Sequence, residues 1–120
     1  MAVRAIRGAT QVDADDREQV LEATRELVNA VLKRNDLAHD DVISILFTAT
    51  PDLRSEFPAL AARELGMGDV PLICATEIGV PHALPRVLRL MAHVETERDR
   101  SAVQHVYLRG ATALRRDIAQ

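Results

Sequence analysis

The sequence predicts an α+β (mixed α/β) domain built on a mixed sheet of roughly five strands, with one long helix and one short helical segment. Runs of aliphatic and β-branched residues, bounded by Gly and Pro, recur along the 120 residues as strands require. One long apolar stripe at helical spacing lies between the first two runs. The length suits one domain, residues 1–120, with a core of its own.

Composition limits the classes of function. Aromatic residues make up only 2% of the chain and the net charge is -3, so neither base stacking nor a basic face favours nucleic-acid binding. Clustered arginines still allow the binding of a small anion. No apolar run has the length of a membrane span. The four histidines lack a short paired spacing, so a metal site is not expected.

The N-terminus and the single cysteine bear on the cellular compartment. The first residues lack the apolar stretch of a signal peptide. Cys74 has no second cysteine with which to form a disulfide, which fits a reducing environment. A cytoplasmic protein is therefore predicted.

Residues 3–12 form the first predicted strand. Its alternation places Arg7 on the same face as Val3 and Ala5, immediately before Gly8. Arg7 by itself is an ordinary cation at the end of a strand. It gains a functional meaning only if other cations converge on it.

The long helix follows this strand. Asp15, with Glu18 three residues later, predicts an N-cap and capping box. An apolar stripe continues from Val20 to Leu32, which makes about five turns. Asn35 tolerates a left-handed conformation and is the predicted stop. This helix is expected to cover a sheet and to carry no chemistry.

The middle of the chain predicts a buried strand followed by a short helix. Residues 42–49 are apolar on both faces, which is typical of a central strand covered on both sides. A turn at residues 50–53 leads to Phe57 and to a short helical segment at residues 59–65. Arg63 lies near the end of this segment, where a cation also suits the helix dipole.

Residues 71–91 contain two predicted strands that each carry a charge. Glu77 ends the first, and Arg89 lies within the second, which continues to Glu95. A charge within an apolar strand is costly unless it is paired or binds a ligand. Taken alone, this stretch favours the simpler explanation, an ion pair between Glu77 and Arg89 or exposure of Arg89 to solvent. Alternation places Arg89 on the more polar face of its strand, with His93.

The last predicted strand spans residues 105–108, and the tail at residues 111–120 has no strong pattern and is expected to be mobile. One long helix cannot cover both faces of such a sheet. Burial of the remaining face by other subunits is therefore predicted.

Short motifs distributed over nearly the whole chain occur together in one known family. They lie at residues 3–10, 49–53, 57–59, 63–65 and 70–71, at Cys74, Glu77 and Arg89, and at residues 105–108. In this order and spacing they resemble the monofunctional α/β class of chorismate mutases, which are homotrimers distinct from the all-helical class. Leu60 and Ile73 depart from the family pattern, where a basic and a polar residue are expected.

The resemblance implies an isomerase without a cofactor. Chorismate, a dianion, would rearrange to prephenate by an intramolecular [3,3] shift in phenylalanine and tyrosine biosynthesis. The sites would lie between neighbouring subunits of a trimer whose sheets form a pseudo-barrel.

The resemblance also implies a role for each site residue. Arg89 would bind a substrate carboxylate and the ether oxygen of the breaking bond, Arg7 and Tyr107 would hold carboxylate, and Glu77 with Cys74 would take the ring hydroxyl. Those at the mouth of the site and on its apolar walls would be Arg63, Arg115, Phe57 and Leu114.

Two other functions fit the same residues. A non-catalytic trimeric module that binds a small carboxylate would keep the arginines and would not need Glu77. A hydrolase or deaminase of related trimeric shape would use Glu77 as its base. A lone strand cysteine such as Cys74 is usually a small buried apolar residue, and no histidine is placed beside it in sequence.

Overall fold

A computed structural model describes residues 1–115. Within them, α1 (Arg17–Arg34) and α2 (Pro58–Glu64) are the two α-helices. The strands are β1 (Ala2–Gln11), β2 (Val42–Ala49), β3 (Leu72–Thr76), β4 (Val87–Thr96) and β5 (Val106–Tyr107). Short 3₁₀ helices span His39–Asp41, Arg100–Ala102 and Arg109–Leu114. The predicted five-stranded sheet with one long and one short helix is confirmed.

The strands form one mixed sheet in the order β3-β2-β4-β1-β5. The central strand β4 runs antiparallel to both β1 and β2, whereas the outer pairs β2–β3 and β1–β5 are parallel. The two charged strands predicted from residues 71–91 are therefore not adjacent, because β2 lies between them. As a consequence, the side chain between Glu77 and Arg89 comes from β2.

Both helices pack on the same face of the sheet. Phe47 and Leu90 lie in one core cluster with side chains of α1 and α2. On the other face Leu46 remains 38% exposed and Val3 58% exposed. The prediction that β2 is covered on both sides is therefore wrong for the single chain, since α1 and α2 share a side. We call the uncovered side the open face.

The start of α1 differs from the prediction by one residue. Asp16 is the N-cap, and its side chain accepts a hydrogen bond of 3.1 Å from the backbone N–H of Gln19. Asp15 instead accepts hydrogen bonds from the backbone N–H groups of Arg54 and Ser55, both at 3.0 Å. Asp15 thus ties the helix start to the loop after β2, a partner that local spacing does not reveal.

The end of α1 also differs from the prediction. Asn35 has φ -106°, whereas the left-handed residue is the next one, Asp36, with φ 53°. The Asn35 side chain is buried and donates to the carbonyl oxygens of Val31 and Gln104. These contacts keep it in an ordinary backbone conformation, and the reversal falls on Asp36.

The beginning of the predicted mobile tail is regular. Ala111 and Leu114 in the last 3₁₀ helix pack against Ala9 and Tyr107. An apolar contact thus joins the described part of the tail to the sheet, and its mobility stays a prediction. Residues 116–120 lie outside the described residues. No helix in the described part of the chain is long and apolar enough to cross a membrane.

Candidate active site

Strand pairing brings several side chains of the open face around one cavity. In the register, Arg89 of β4 lies opposite both Thr48 of β2 and Ala9 of β1, and Ala9 lies opposite Tyr107 of β5. Directly paired residues point to the same face of a sheet. The cavity measures about 250 Å³. Its lining consists of Arg7, Gly8, Leu46, Thr48, Arg89, Leu90, Met91 and Tyr107.

Glu77 reaches this site from the end of β3. Its backbone N–H donates to the carbonyl of Ala49 at 2.9 Å, which continues the parallel pairing of β3 with β2. Its carboxylate oxygen Oε2 lies 3.2 Å from Nε of Arg89 and accepts a 2.6 Å hydrogen bond from the hydroxyl of Thr48. The ion pair that the sequence allowed therefore exists, and it stands beside the cavity.

The contact between Glu77 and Arg89 has ion-pair distance without hydrogen-bond alignment. The Nε atom of Arg89 is itself buried and makes no hydrogen bond within residues 1–115. The whole Arg89 side chain is nevertheless 43% exposed and lines the cavity. Its charge is thus balanced on one side only and remains available to an anion on the other.

The backbone of Arg7 is hydrogen-bonded to a histidine side chain. Its backbone N–H donates to Nδ1 of His105 at 2.9 Å. Burial lowers the pKa of His105, and the neighbouring charges of Arg7 and Arg115 lower that pKa further. Protonation of Nδ1 would remove this acceptor, so the lowered pKa favours the ring form that supports Arg7. Arg115 thus lies within electrostatic range of His105.

A second cavity of about 530 Å³ adjoins the first on the open face, and Arg7 lines both. Arg4, Arg100 and His105 also line it, and no carboxylate belongs to its lining among the residues described. The arginines that line this cavity therefore present positive charge over a wide area beside the first cavity. Such a surface attracts a small dianion.

The other predicted site residues are divided between two places. Leu114 packs in the cluster that contains Tyr107, next to the cavity. Cys74 lies opposite Phe47 on the helix-covered side and packs against the core. Phe57, which is 67% exposed, lines a separate cavity of about 260 Å³ with Cys74. Arg63 is exposed on α2 and lines neither of these cavities in the described structure.

Within one chain the structure thus brings together Arg7, Glu77, Arg89 and Tyr107, and it leaves Phe57, Cys74 and Arg63 apart from them. Thr48 was not predicted as a site residue, because the pattern of residues 42–49 is typical of a strand that is apolar on both faces. The alternation of Ser44 and Thr48 on one side of β2 was the available signal.

Comparison with known proteins gives concordant matches. Residues 3–118 match the family model described as chorismate mutase type I. A protein of Thermus thermophilus named chorismate mutase AroH is 46% identical over 117 residues, which are 97% of this chain and 96% of that protein. The protein of the same name from Bacillus subtilis (strain 168) is 39% identical over 120 residues, 99% of this chain and 94% of the relative.

A solved structure agrees with the sequence matches. The chorismate mutase from Clostridium thermocellum superposes with a TM-score of 0.91 at 43% sequence identity. The match covers 92% of this chain and 98% of the other.

Proposed function

The chain belongs to the chorismate mutase type I family, and from this premise we propose how its open face carries out the reaction. The enzyme is an isomerase that rearranges chorismate to prephenate. The reaction is intramolecular, so the bond that breaks and the bond that forms belong to the same substrate molecule. The proposal rests on one observation: Arg7, Arg89 and Tyr107 line a single cavity, with Glu77 3.2 Å from Arg89.

Substrate binding follows from charge. Chorismate carries two carboxylates, and a guanidinium can grip a carboxylate with two parallel hydrogen bonds. Arg7 and Arg89 approach the cavity from neighbouring strands and are proposed to hold these groups, with the hydroxyl of Tyr107 as a further donor. Glu77 is proposed to accept the hydrogen bond of the ring hydroxyl.

Catalysis requires no nucleophile and no proton transfer in this reaction. One proposed contribution is orientation, since the enolpyruvyl arm must be held over the ring in its reactive conformer. The other is electrostatic, because negative charge grows on the ether oxygen as its bond to carbon breaks. Arg89 is the proposed donor at that oxygen, where a fixed cation stabilises the transition state more than the ground state.

We propose that the site is completed by a neighbouring subunit in a homotrimer whose sheets form a pseudo-barrel. Support comes from the uncovered sheet face and from the apolar side chains exposed near it, Phe57 at 67% and Ile73 at 64%. Phe57, Arg63 and Cys74 of one chain would close the cavity of the next. Leu114 and Arg115 would remain on the chain that supplies Arg7. The single cysteine supports a cytoplasmic location for this assembly.

Two residues depart from the family pattern. Leu60 stands where a basic residue is expected, which removes one charge near the entrance of the proposed site, and Ile73 stands where a polar residue is expected, which removes a possible hydroxyl near Glu77. We expect weaker capture of the dianion and no change in the roles of Arg89 and Glu77.

The function is tested by mixing the purified protein with chorismate and following its ultraviolet absorbance while prephenate is measured. Turnover that is insensitive to chelators and nearly independent of pH around neutrality supports the mutase, since no proton moves in the step. Binding without turnover would support the non-catalytic carboxylate-binding module. A bell-shaped pH profile centred near neutrality would support the hydrolase or deaminase with Glu77 as base.

Replacement of Cys74 by serine is expected to leave most of the mutase activity, within a few-fold. Cys74 is partly buried against the core, and no histidine lines its cavity in the described residues. A nucleophilic thiol would need such a base. Steady-state kinetics of Cys74→Ser with a thermal unfolding control checks this. Complete loss of turnover in a normally folded variant would contradict the packing role.

A further inference from the structure

The contact between Glu77 and Arg89 is unusual in its geometry, and Thr48 is part of the reason. The Thr48 hydroxyl and the Arg89 Nε both approach the same carboxylate oxygen, Oε2, at 2.6 Å and 3.2 Å. The shorter contact is a hydrogen bond, whereas Nε forms none although it is buried. The hydroxyl of Thr48 therefore determines where the carboxylate lies.

A carboxylate and a guanidinium at this distance normally align as a fork with two parallel hydrogen bonds. Such an alignment would give Nε a hydrogen-bond acceptor, and it would turn the edge of the Arg89 guanidinium that carries Nε towards Glu77. A buried donor without a partner costs stability, so something must oppose the rotation. The only hydrogen bond from a side chain that the structure gives to Glu77 within residues 1–115 comes from Thr48.

The position of the Thr48 hydroxyl is itself well determined. Thr48 is opposite Arg89 in the antiparallel pairing of β2 with β4 and opposite Ala75 in the parallel pairing with β3. It is thus held between the strands that carry Arg89 and lead to Glu77. Its branched side chain has few rotamers, which makes it a stiff support.

We propose that Thr48 is a positioning residue that keeps Glu77 from aligning with Arg89 as a bidentate, hydrogen-bonded ion pair. The terminal nitrogens of the guanidinium, and the positive charge that they carry, then stay directed at the cavity. This inference rests on the proposed function, because it concerns the conformation of Arg89 before the substrate binds. Thr48 acts through Glu77 and is assigned no contact with the reacting atoms.

A specific signature follows for Thr48→Val, which removes the hydroxyl and retains the branched shape. Glu77 is then free to align with Arg89, and its negative charge offsets that of the guanidinium. The kcat should fall about 10- to 100-fold, the range for loss of a hydrogen bond to a charged group, while KM changes less. The melting temperature should stay the same or rise, since Nε gains a partner. A merely structural role for Thr48 predicts the opposite, a loss of stability together with activity.

The experiment compares five variants, Thr48→Val among them, by steady-state kinetics on chorismate and by thermal unfolding. Thr48→Ser restores the hydroxyl and should keep activity near that of the parent protein. Thr10→Val is the matched control, because Thr10 is buried in β1 on the helix-covered side and its hydroxyl has no partner within residues 1–115. It should leave activity unchanged. Glu77→Gln and the double variant Thr48→Val/Glu77→Gln complete a mutant cycle.

The cycle decides whether Thr48 acts through Glu77. If it does, Thr48→Val lowers kcat in the parent protein and has little further effect in the Glu77→Gln background. Thr48→Val activity within twofold of the parent, an equal loss in both backgrounds, or a parallel loss of stability each overturns the proposal. Full activity of Glu77→Gln itself would instead overturn the proposed role of Glu77 in the reaction, which separates the two failures.

Discussion

Replacement of Arg89 by alanine is expected to lower kcat by at least about 100-fold. Removal of one preorganised donor from the site of developing negative charge costs roughly 3–4 kcal/mol in comparable sites. Arg89 is the cation that the register of β1, β2 and β4 places at the centre of the cavity lining. It lies 3.2 Å from Glu77, so its position is already determined before the substrate arrives.

Arg89→Lys separates charge from geometry in this prediction. A lysine keeps the positive charge but has a single ammonium group, so it loses the planar fork that can bind a carboxylate and the ether oxygen together. Its kcat should lie between those of the parent protein and Arg89→Ala. Arg17→Ala is the control, because Arg17 is an exposed arginine at the start of α1 that lines neither cavity of the open face, and its removal should not affect turnover.

The measurement is a full saturation curve for each variant, with circular dichroism to confirm folding. Turnover of Arg89→Ala within a few-fold of the parent protein would show that this guanidinium does not stabilise the transition state. The cationic face would then act only in binding.

The second large effect is the recovery of activity when two inactive variants are mixed. Arg89→Ala lacks the group on the open face, and Phe57→Ala/Arg63→Ala lacks the residues that we propose to come from the neighbour. Each alone should have little activity. After unfolding and refolding together in equal amounts, a site is intact only when its open face comes from Phe57→Ala/Arg63→Ala and its neighbouring half comes from Arg89→Ala. In a closed ring of heterologous interfaces this occurs in about a quarter of the sites, so about a quarter of the parent activity should return.

The control for this experiment uses two variants of the same side of the site. Arg7→Ala and Arg89→Ala both alter the open face, so every mixed interface remains defective and no activity should return. Native mass spectrometry verifies that mixed oligomers have formed. Mixed trimers without recovered activity in the first pair would rule out sites shared between subunits, and equal recovery in both pairs would show that the halves were assigned wrongly.

Several parts of the fold could be read from local patterns. The alternation in β4 placed Arg89 on a face distinct from Leu88 and Leu90, and the register confirms it. The stripe from Val20 to Leu32 predicted α1 as a helix that covers the sheet. Periodicity and propensity act over a few residues, so a single sequence shows them directly.

Local patterns were less informative where two partners competed. Asp15 and Asp16 are equivalent as caps by residue type, and the choice depended on the loop amides of Arg54 and Ser55, which Asp15 binds. The beginning of the tail likewise packs against Tyr107, and the spacing of residues within the tail does not predict this contact. In both cases the deciding group is distant in sequence.

The sequence alone therefore determined the residue types of the site, a set of arginines with Glu77 and Tyr107, and the elements that carry them. Only the tertiary structure decided that β2 separates the strands of Glu77 and Arg89, that Thr48 consequently stands between the two charges, and that Cys74 and Phe57 belong elsewhere on the same chain. The reason is physical. The order and register of the strands depend on how both helices pack across the whole sheet, and a short stretch of residues does not reveal these long-range contacts.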